Sequence, residues 1–205
     1  LTTGIAVISS GRGENLRHIL RATLSGYLAA EIRIVLADEE DAGALDIARE
    51  FGVRGVYVDP EGLSRSDYDV FLMEYIDQAM ADLVVLTGYK RILSPDFVRH
   101  YKNRILNIHP AILPSFRGVN AFSQALNYGV KWTGTTVHLV DEEVDHGPII
   151  YQVPVKVKED DTYQSLKARI QRAEYRAYPK AIKMFLERRS RIEGRKLVYE
   201  PGSSG

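Results

Sequence analysis

Four nearly continuous apolar runs, GIAVISS, IRIVLAD, DLVVLTG and RILNIHP, alternate with segments of helical spacing through the first half of the chain. This rhythm constrains the fold more than any single motif. A strand that is apolar throughout is covered on both faces, and a parallel neighbour needs a crossover long enough to hold a helix. Leu16, Ile19, Leu20 and Leu24 give the first crossover its apolar stripe, and AGALDIAREFG forms the second, before the short strand VRGVYVD. In the third, Phe71, Leu72, Tyr75, Ile76 and Ala79 share a face, and Ser66 or Asp67 can cap the helix. A short helix around SPDFVRHYK precedes RILNIHP. The rhythm then changes: NAFSQALNYG reads as a helix, and WTGTTVHLVD and PIIYQVPVKV read as strands joined too closely to be parallel. A closing helix from about Tyr163 carries Leu166, Ile170, Ala173 and Ala177 on one stripe, and Pro179 is expected to kink or restart it. The predicted class is α/β, a mostly parallel twisted sheet flanked by helices with an antiparallel strand in the C-terminal half. Such sheets bind ligands at the carboxyl ends of the strands, where the strand order reverses.

Composition narrows the functions available. The chain has 205 residues, no cysteine, and 27 cationic against 27 anionic side chains. Disulfides and thiolate zinc sites are excluded, and no apolar run approaches the roughly 18 residues of a membrane span. The opening residues LTTGIAVISS lack a basic n-region, so no signal peptide is expected, and the protein is read as soluble and cytoplasmic, with no membrane partner. Zero net charge argues against nucleic acid as a partner, so any anion is bound locally. The cluster Lys183, Arg188, Arg189, Arg191, Arg195 and Lys196 is read as a solvated helix end, and PGSSG as a flexible tail.

Two stretches carry candidate chemistry. In SSGRGENLR, between the first strand and first helix, Gly11 and Gly13 let backbone amides approach an anion at the positive end of the helix. A dinucleotide fingerprint requires glycine where Leu16 stands, so a single phosphate ester is the expected ligand, although Asp38 ends the second strand as a ribose-binding acid would. In NIHPAILPSFRG, Asn107 and His109 are two apart and share a strand face, and Pro110 then ends the ladder. Asp145, in the acid-rich loop DEEVDHGPII, can reach an imidazole from another strand end. An amide donor, an imidazole held protonated by a carboxylate, and that carboxylate as proton acceptor suit carbonyl chemistry at neutral pH. His138 is expected beside this set, and His18 and His100 are read as structural.

Taken together, NIHPAILPSFRG and GTTVHLVDEEVDHGPII, with VISSGRGENL, LTGYKRILSPDFV and RAEYRAYP, resemble the formyltransferase family that uses 10-formyltetrahydrofolate, and within it the glycinamide ribonucleotide formyltransferases. The resemblance covers nearly the whole chain. It implies an enzyme of purine biosynthesis with Asn107, His109 and Asp145 as the catalytic triad. It assigns Gly11, Arg12, Gly13, Glu14, Asn15 and Glu174 to the ribonucleotide. Arg91, Ile92 and Leu93, facing Val140, Asp141, Glu142, Glu143 and Val144, are assigned to the folate. It also implies small-molecule substrates, 10-formyltetrahydrofolate as cosubstrate, and no metal. One formyltransferase domain is expected over 1–190, comprising a Rossmann-like nucleotide-binding part over 1–105 and a formyl-folate and catalytic part over 106–190, with a tail over 191–205; the protein is expected to be a monomer or homodimer. Two positions depart from the family pattern: Glu14 stands where a small hydroxyl residue is usual, and Phe122 where histidine is common. Formyltetrahydrofolate hydrolase shares the core, but the resemblance gives it an extra N-terminal domain and another residue in place of Pro110. Methionyl-tRNA formyltransferase carries a further RNA-binding domain. A nicotinamide-dependent dehydrogenase would use Gly11, Gly13 and Asp38 and leave the triad idle.

Overall fold

The computed structural model describes residues 2–200. The chain divides into two compact units, Leu1–Asn107 and Ile108–Gly205. In the first unit lie β1 (Thr3–Ser9), α1 (Glu14–Leu24), β2 (Ala30–Ala37), α2 (Gly43–Glu50), β3 (Gly55–Tyr57), α3 (Arg65–Gln78), β4 (Leu83–Leu86), α4 (Pro95–His100) and the start of β5 (Ile105–His109). Their order is β3-β2-β1-β4-β5, and every pairing is parallel. Residues Ile5 to Ile8, Ile34 to Ala37, and Val84 with Val85 have no exposed surface, as strands covered on both faces must. Because β2 and β4 flank β1 on opposite sides, the order reverses at β1, and its carboxyl end opens into the glycine loop.

The helices of this unit follow the predicted spacing with three corrections. In α1, Leu16, Ile19 and Leu20 are buried, but Leu24, its last residue, is 74% exposed. In α3 the cap is Ser64, whose hydroxyl accepts from the Asp67 N–H, so neither Ser66 nor Asp67 fills that role. Its buried stripe is Tyr68, Leu72 and Ile76, a strict four-residue spacing that leaves Phe71 one position off the face and 43% exposed.

The second unit contains α5 (Ala121–Tyr128), β6 (Trp132–Leu139), β7 (Ile149–Lys156), α6 (Tyr163–Glu187), β8 (Ser190–Glu193) and β9 (Lys196–Tyr199). β6 and β7 are antiparallel, β9 lies parallel to β7, and β8 and β9 form a hairpin. Helix α6 packs Leu166, Ile170 and Ala173 with Val155, and Phe122 joins this cluster edge-on to Tyr163, at 5.7 Å between ring centroids. The family departure at Phe122 is thus a packing residue.

Two expectations for this half need correction. α6 does not restart at Pro179 but runs on through it. An interior proline costs about 3 kcal/mol, but Ala177, Tyr178, Ala181 and Ile182 around it are all buried, and burying side chains of this kind offsets a loss of that size. The tail drawn from residue 191 includes a hairpin as far as Tyr199, because the Glu193–Lys196 pair closes a turn through Gly194. PGSSG lies outside the described residues. Among those residues no helix is long and apolar enough to cross a membrane.

Candidate active site

Each unit carries part of the predicted set. In the first, the loop after β1 delivers Gly11 to Asn15 to the amino end of α1. Gly13 precedes the helix with φ 78°, and a Cβ there would lie 2.7 Å from the Ala44 Cα, so both backbone hand and space require glycine. Arg12 is exposed, and the Glu14 side chain, 47% exposed, lies 4.0 Å from the Arg17 guanidinium. Arg91, Ile92 and Leu93 follow β4. Arg91 lies over the Tyr68 ring at 4.9 Å, Ile92 is exposed and Leu93 buried. The end of this strip is held by Asp69, which the sequence reading missed. Its buried carboxylate accepts from the Ser94 N–H at 2.5 Å, and burial pushes its value up from the usual range. Half-buried Asn107 stands two residues before His109 on β5.

The second unit brings His109, His138 and Asp145 together. His109 Nδ1 lies 3.1 Å from Asp145 Oδ2, and His138 Nε2 lies 3.5 Å from Oδ1 of the same carboxylate; all three side chains are almost wholly buried. His138 is therefore placed beside the pair, through the carboxylate. The Gly118 N–H donates to Asp145 Oδ2 at 2.8 Å. His109 Nε2 donates to the Phe116 carbonyl at 2.8 Å. Phe116, Gly118 and Asp145 all have positive φ, so two tight bends aim these groups at the pair. Burial lowers the His109 imidazole below its usual value, while the Asp145 carboxylate and Phe116 carbonyl oppose that and recover part of it. Burial raises Asp145, but its histidine partners and the Gly118 N–H outweigh that and leave it below the carboxylate range. From the sequence the His109 imidazole is expected to be held protonated by the carboxylate. Desolvation instead opposes it, and only the protonated ring satisfies acceptors at both nitrogens.

The exit from β5 is fixed by two threonines with no sequence signal beyond GTT. The buried Thr135 hydroxyl donates to the His109 carbonyl at 3.1 Å. Thr136 donates to the Ala111 carbonyl at 2.7 Å and accepts from the Leu113 N–H at 3.0 Å. These bonds replace the ladder that Pro110 interrupts. Val140 to Val144 form the loop after β6, mostly exposed, and Glu174 sits on α6 with 7% exposure.

A buried imidazole–carboxylate pair at a strand end, in a chain whose glycine loop opens at a reversal of strand order, suits transfer of a small carbonyl group. The family model described as Formyl transferase matches residues 3–182, and the chain belongs to the formyl transferase family. Within that class, the chain is 37% identical to the phosphoribosylglycinamide formyltransferase of Haemophilus influenzae, over 98% of this chain and 94% of that one. The crystal structure of glycinamide ribonucleotide transformylase 1 from Symbiobacterium toebii superposes with a TM-score of 0.94 at 43% identity, covering 97% of this chain and 94% of that one. A formyltetrahydrofolate deformylase from Pseudomonas syringae superposes with a TM-score of 0.91 at 27% identity, covering 97% of this chain and 66% of that one.

Proposed function

We propose that the protein transfers the formyl group of 10-formyltetrahydrofolate to the amine of glycinamide ribonucleotide, in the cytoplasm and as a step of purine biosynthesis. The observation that carries this is the buried His109–Asp145 contact of 3.1 Å in a chain of this family. The amine attacks the formyl carbon, and the developing oxyanion is met by the Asn107 amide and the protonated His109 ring. Asp145 accepts the amine proton, directly or through one water. The bond from the formyl carbon to N10 then breaks, and tetrahydrofolate leaves carrying a proton on N10.

The amides of Gly11 to Asn15 bind the phosphate at the positive end of α1. Arg12 adds a cation, Glu14 stays turned toward Arg17, and Glu174 holds the ribonucleotide from α6. Arg91 to Leu93 and Val140 to Val144 hold the pterin. The test is spectrophotometric: release of tetrahydrofolate from 10-formyltetrahydrofolate with and without glycinamide ribonucleotide. Acceptor-dependent release is expected. Release that ignores the acceptor would make the protein a deformylase, and no turnover together with quenched NADH fluorescence would make it a dehydrogenase.

A further inference from the structure

The last hairpin of the chain is tied to the loop that carries Asp145. β8 and β9 turn through Gly194, and the next residue, Arg195, directs its guanidinium at His146. Nη2 donates to the His146 carbonyl at 2.5 Å, and Nη1 meets the ring at Nε2. A guanidinium only donates, so Nε2 accepts and the ring hydrogen sits on Nδ1. Nδ1 lies 2.7 Å from Asp141 Oδ2, with Glu143 Oε1 at 3.9 Å. Asp141 Oδ1 in turn accepts from the Glu143 N–H at 3.1 Å.

The guanidinium therefore grips both the ring and the carbonyl of the residue after Asp145, while that ring braces the start of the same loop. The pairing of Lys196 with Ile149 fixes where Arg195 approaches. The loop has little room to adjust. A Cβ on Gly147 would lie 1.9 Å from the Leu139 carbonyl oxygen, and Asp145 itself is held at φ 49°, a backbone region that a non-glycine residue keeps only when its surroundings impose it.

We infer that Arg195 is a positioning residue for the Asp145 carboxylate. By fixing the His146 peptide and ring, it holds the turn that keeps the carboxylate on His109. Arg195 is exposed, so its contacts add little to global stability. Its effect is geometric, and a displacement of about 1 Å in a reacting group can cost about 10²-fold in rate. The kinetic consequence rests on the function proposed above, whereas the structural one does not.

The test compares wild type, Arg195→Ala and Arg195→Lys in thermal unfolding, in kcat and KM for both substrates, and in the NMR titration of the His109 imidazole. Arg195→Ala should shift Tm by no more than about 2–4 °C. It should lower kcat tenfold or more with the ribonucleotide KM unchanged, and should move the His109 titration to lower pH, as loss of the carboxylate would. Arg195→Lys should recover part of both effects, since an ammonium can reach the carbonyl but lacks the planar fork that spans ring and carbonyl. An Arg195→Ala variant with unchanged His109 titration overturns the inference, whether kcat holds or falls along with Tm. The titration is read on the protein alone. A wild-type protein that transfers no formyl group would overturn the functional reading and still leave Arg195 judged by its titration.

Discussion

His109 and His138 face one carboxylate, and each ring has an acceptor at both nitrogens. His109 meets Asp145 Oδ2 and the Phe116 carbonyl, which oppose the effect of its burial, and His138 meets the Leu139 carbonyl at 2.7 Å and Asp145 Oδ1 at 3.5 Å. Losing one oxyanion donor costs on the order of 10²–10³ in kcat. Asn107→Ala and His109→Ala should therefore lose rate by that factor with little change in folate KM, checked by steady-state kinetics. Unchanged kcat with a raised KM would remove them from the chemistry. Asp145→Asn should move the His109 titration further down, since the carboxylate is the larger of the two influences that oppose desolvation. The same shifts set a pH dependence of stability. His109, His18 and Asp145 are all depressed on folding. A depressed group contributes stability that is present above its unfolded value and is lost as pH falls through its folded value. Tm should thus decline below about pH 6.5 for the histidines and again below about pH 4 for Asp145. His109→Gln should flatten the upper part of that decline in Tm measured against pH. At this scale the shared strand face of Asn107 and His109 was legible, because side chains two residues apart on a strand point the same way. The carbonyl of Phe116 and N–H of Gly118 were not, since backbone groups carry no sequence signal until their loop is folded.

Helix α6 shows how one element is fixed at its start and tolerated in its interior. Thr162 and Ser165 form a reciprocal capping box, with the Ser165 N–H on Thr162 Oγ1 at 3.2 Å and the Thr162 N–H on Ser165 Oγ at 3.0 Å. Asp161 meets Arg169 through both carboxylate oxygens at 2.7 and 2.6 Å. Thr162→Ala should cost about 0.5–2 kcal/mol, read as a lower urea midpoint with an unchanged slope. The Arg169 guanidinium holds the Asp161 carboxyl well below its ordinary range. This contribution is present above about pH 4 and shrinks as pH falls further. Arg169→Ala should accordingly lower stability by on the order of 1 kcal/mol at pH 7 and by much less at pH 3. An equal loss at both would mean that packing of the arginine stem, rather than the ion pair, is what matters. The stripe Leu166, Ile170, Ala173 and Ala177 was legible from spacing alone. Passage through Pro179 was not, because local propensity predicts a break and only the burial of Ala177, Tyr178, Ala181 and Ile182 beside it outweighs that.

Across the whole molecule the balance of charge is zero, and the basic cluster near the C-terminus is less free than its sequence suggests. Lys183 meets Glu187 at 3.3 Å, Arg191 meets Glu193 at 2.7 Å, Arg188 lies over the Tyr199 ring at 5.3 Å, and Arg195 is engaged with His146. The cluster's sequence predicts a solvated helix end, but it spans a helix end and a hairpin, with these cations already partnered. The protein should therefore pass through a heparin column at about 0.15 M salt. Retention that requires substantially more salt for elution would show that these cations form an accessible anion-binding face. The amino-acid sequence by itself determined the class of fold, because apolar periodicity and crossover length act over a few residues and leave few arrangements for strands covered on both faces. It also determined the candidate chemistry, since an amide, an imidazole and a carboxylate are visible as residue types in spaced motifs. Only the tertiary structure decided which groups meet: that Thr135 and Thr136 replace the ladder lost at Pro110, that Asp145 meets the Gly118 N–H and the His109 ring, and that Arg195 reaches back from a segment that reads as tail. The physical reason is range. Propensity and alternation are local, whereas each of these contacts joins residues far apart in the chain, and closing such a contact depends on the whole fold being formed.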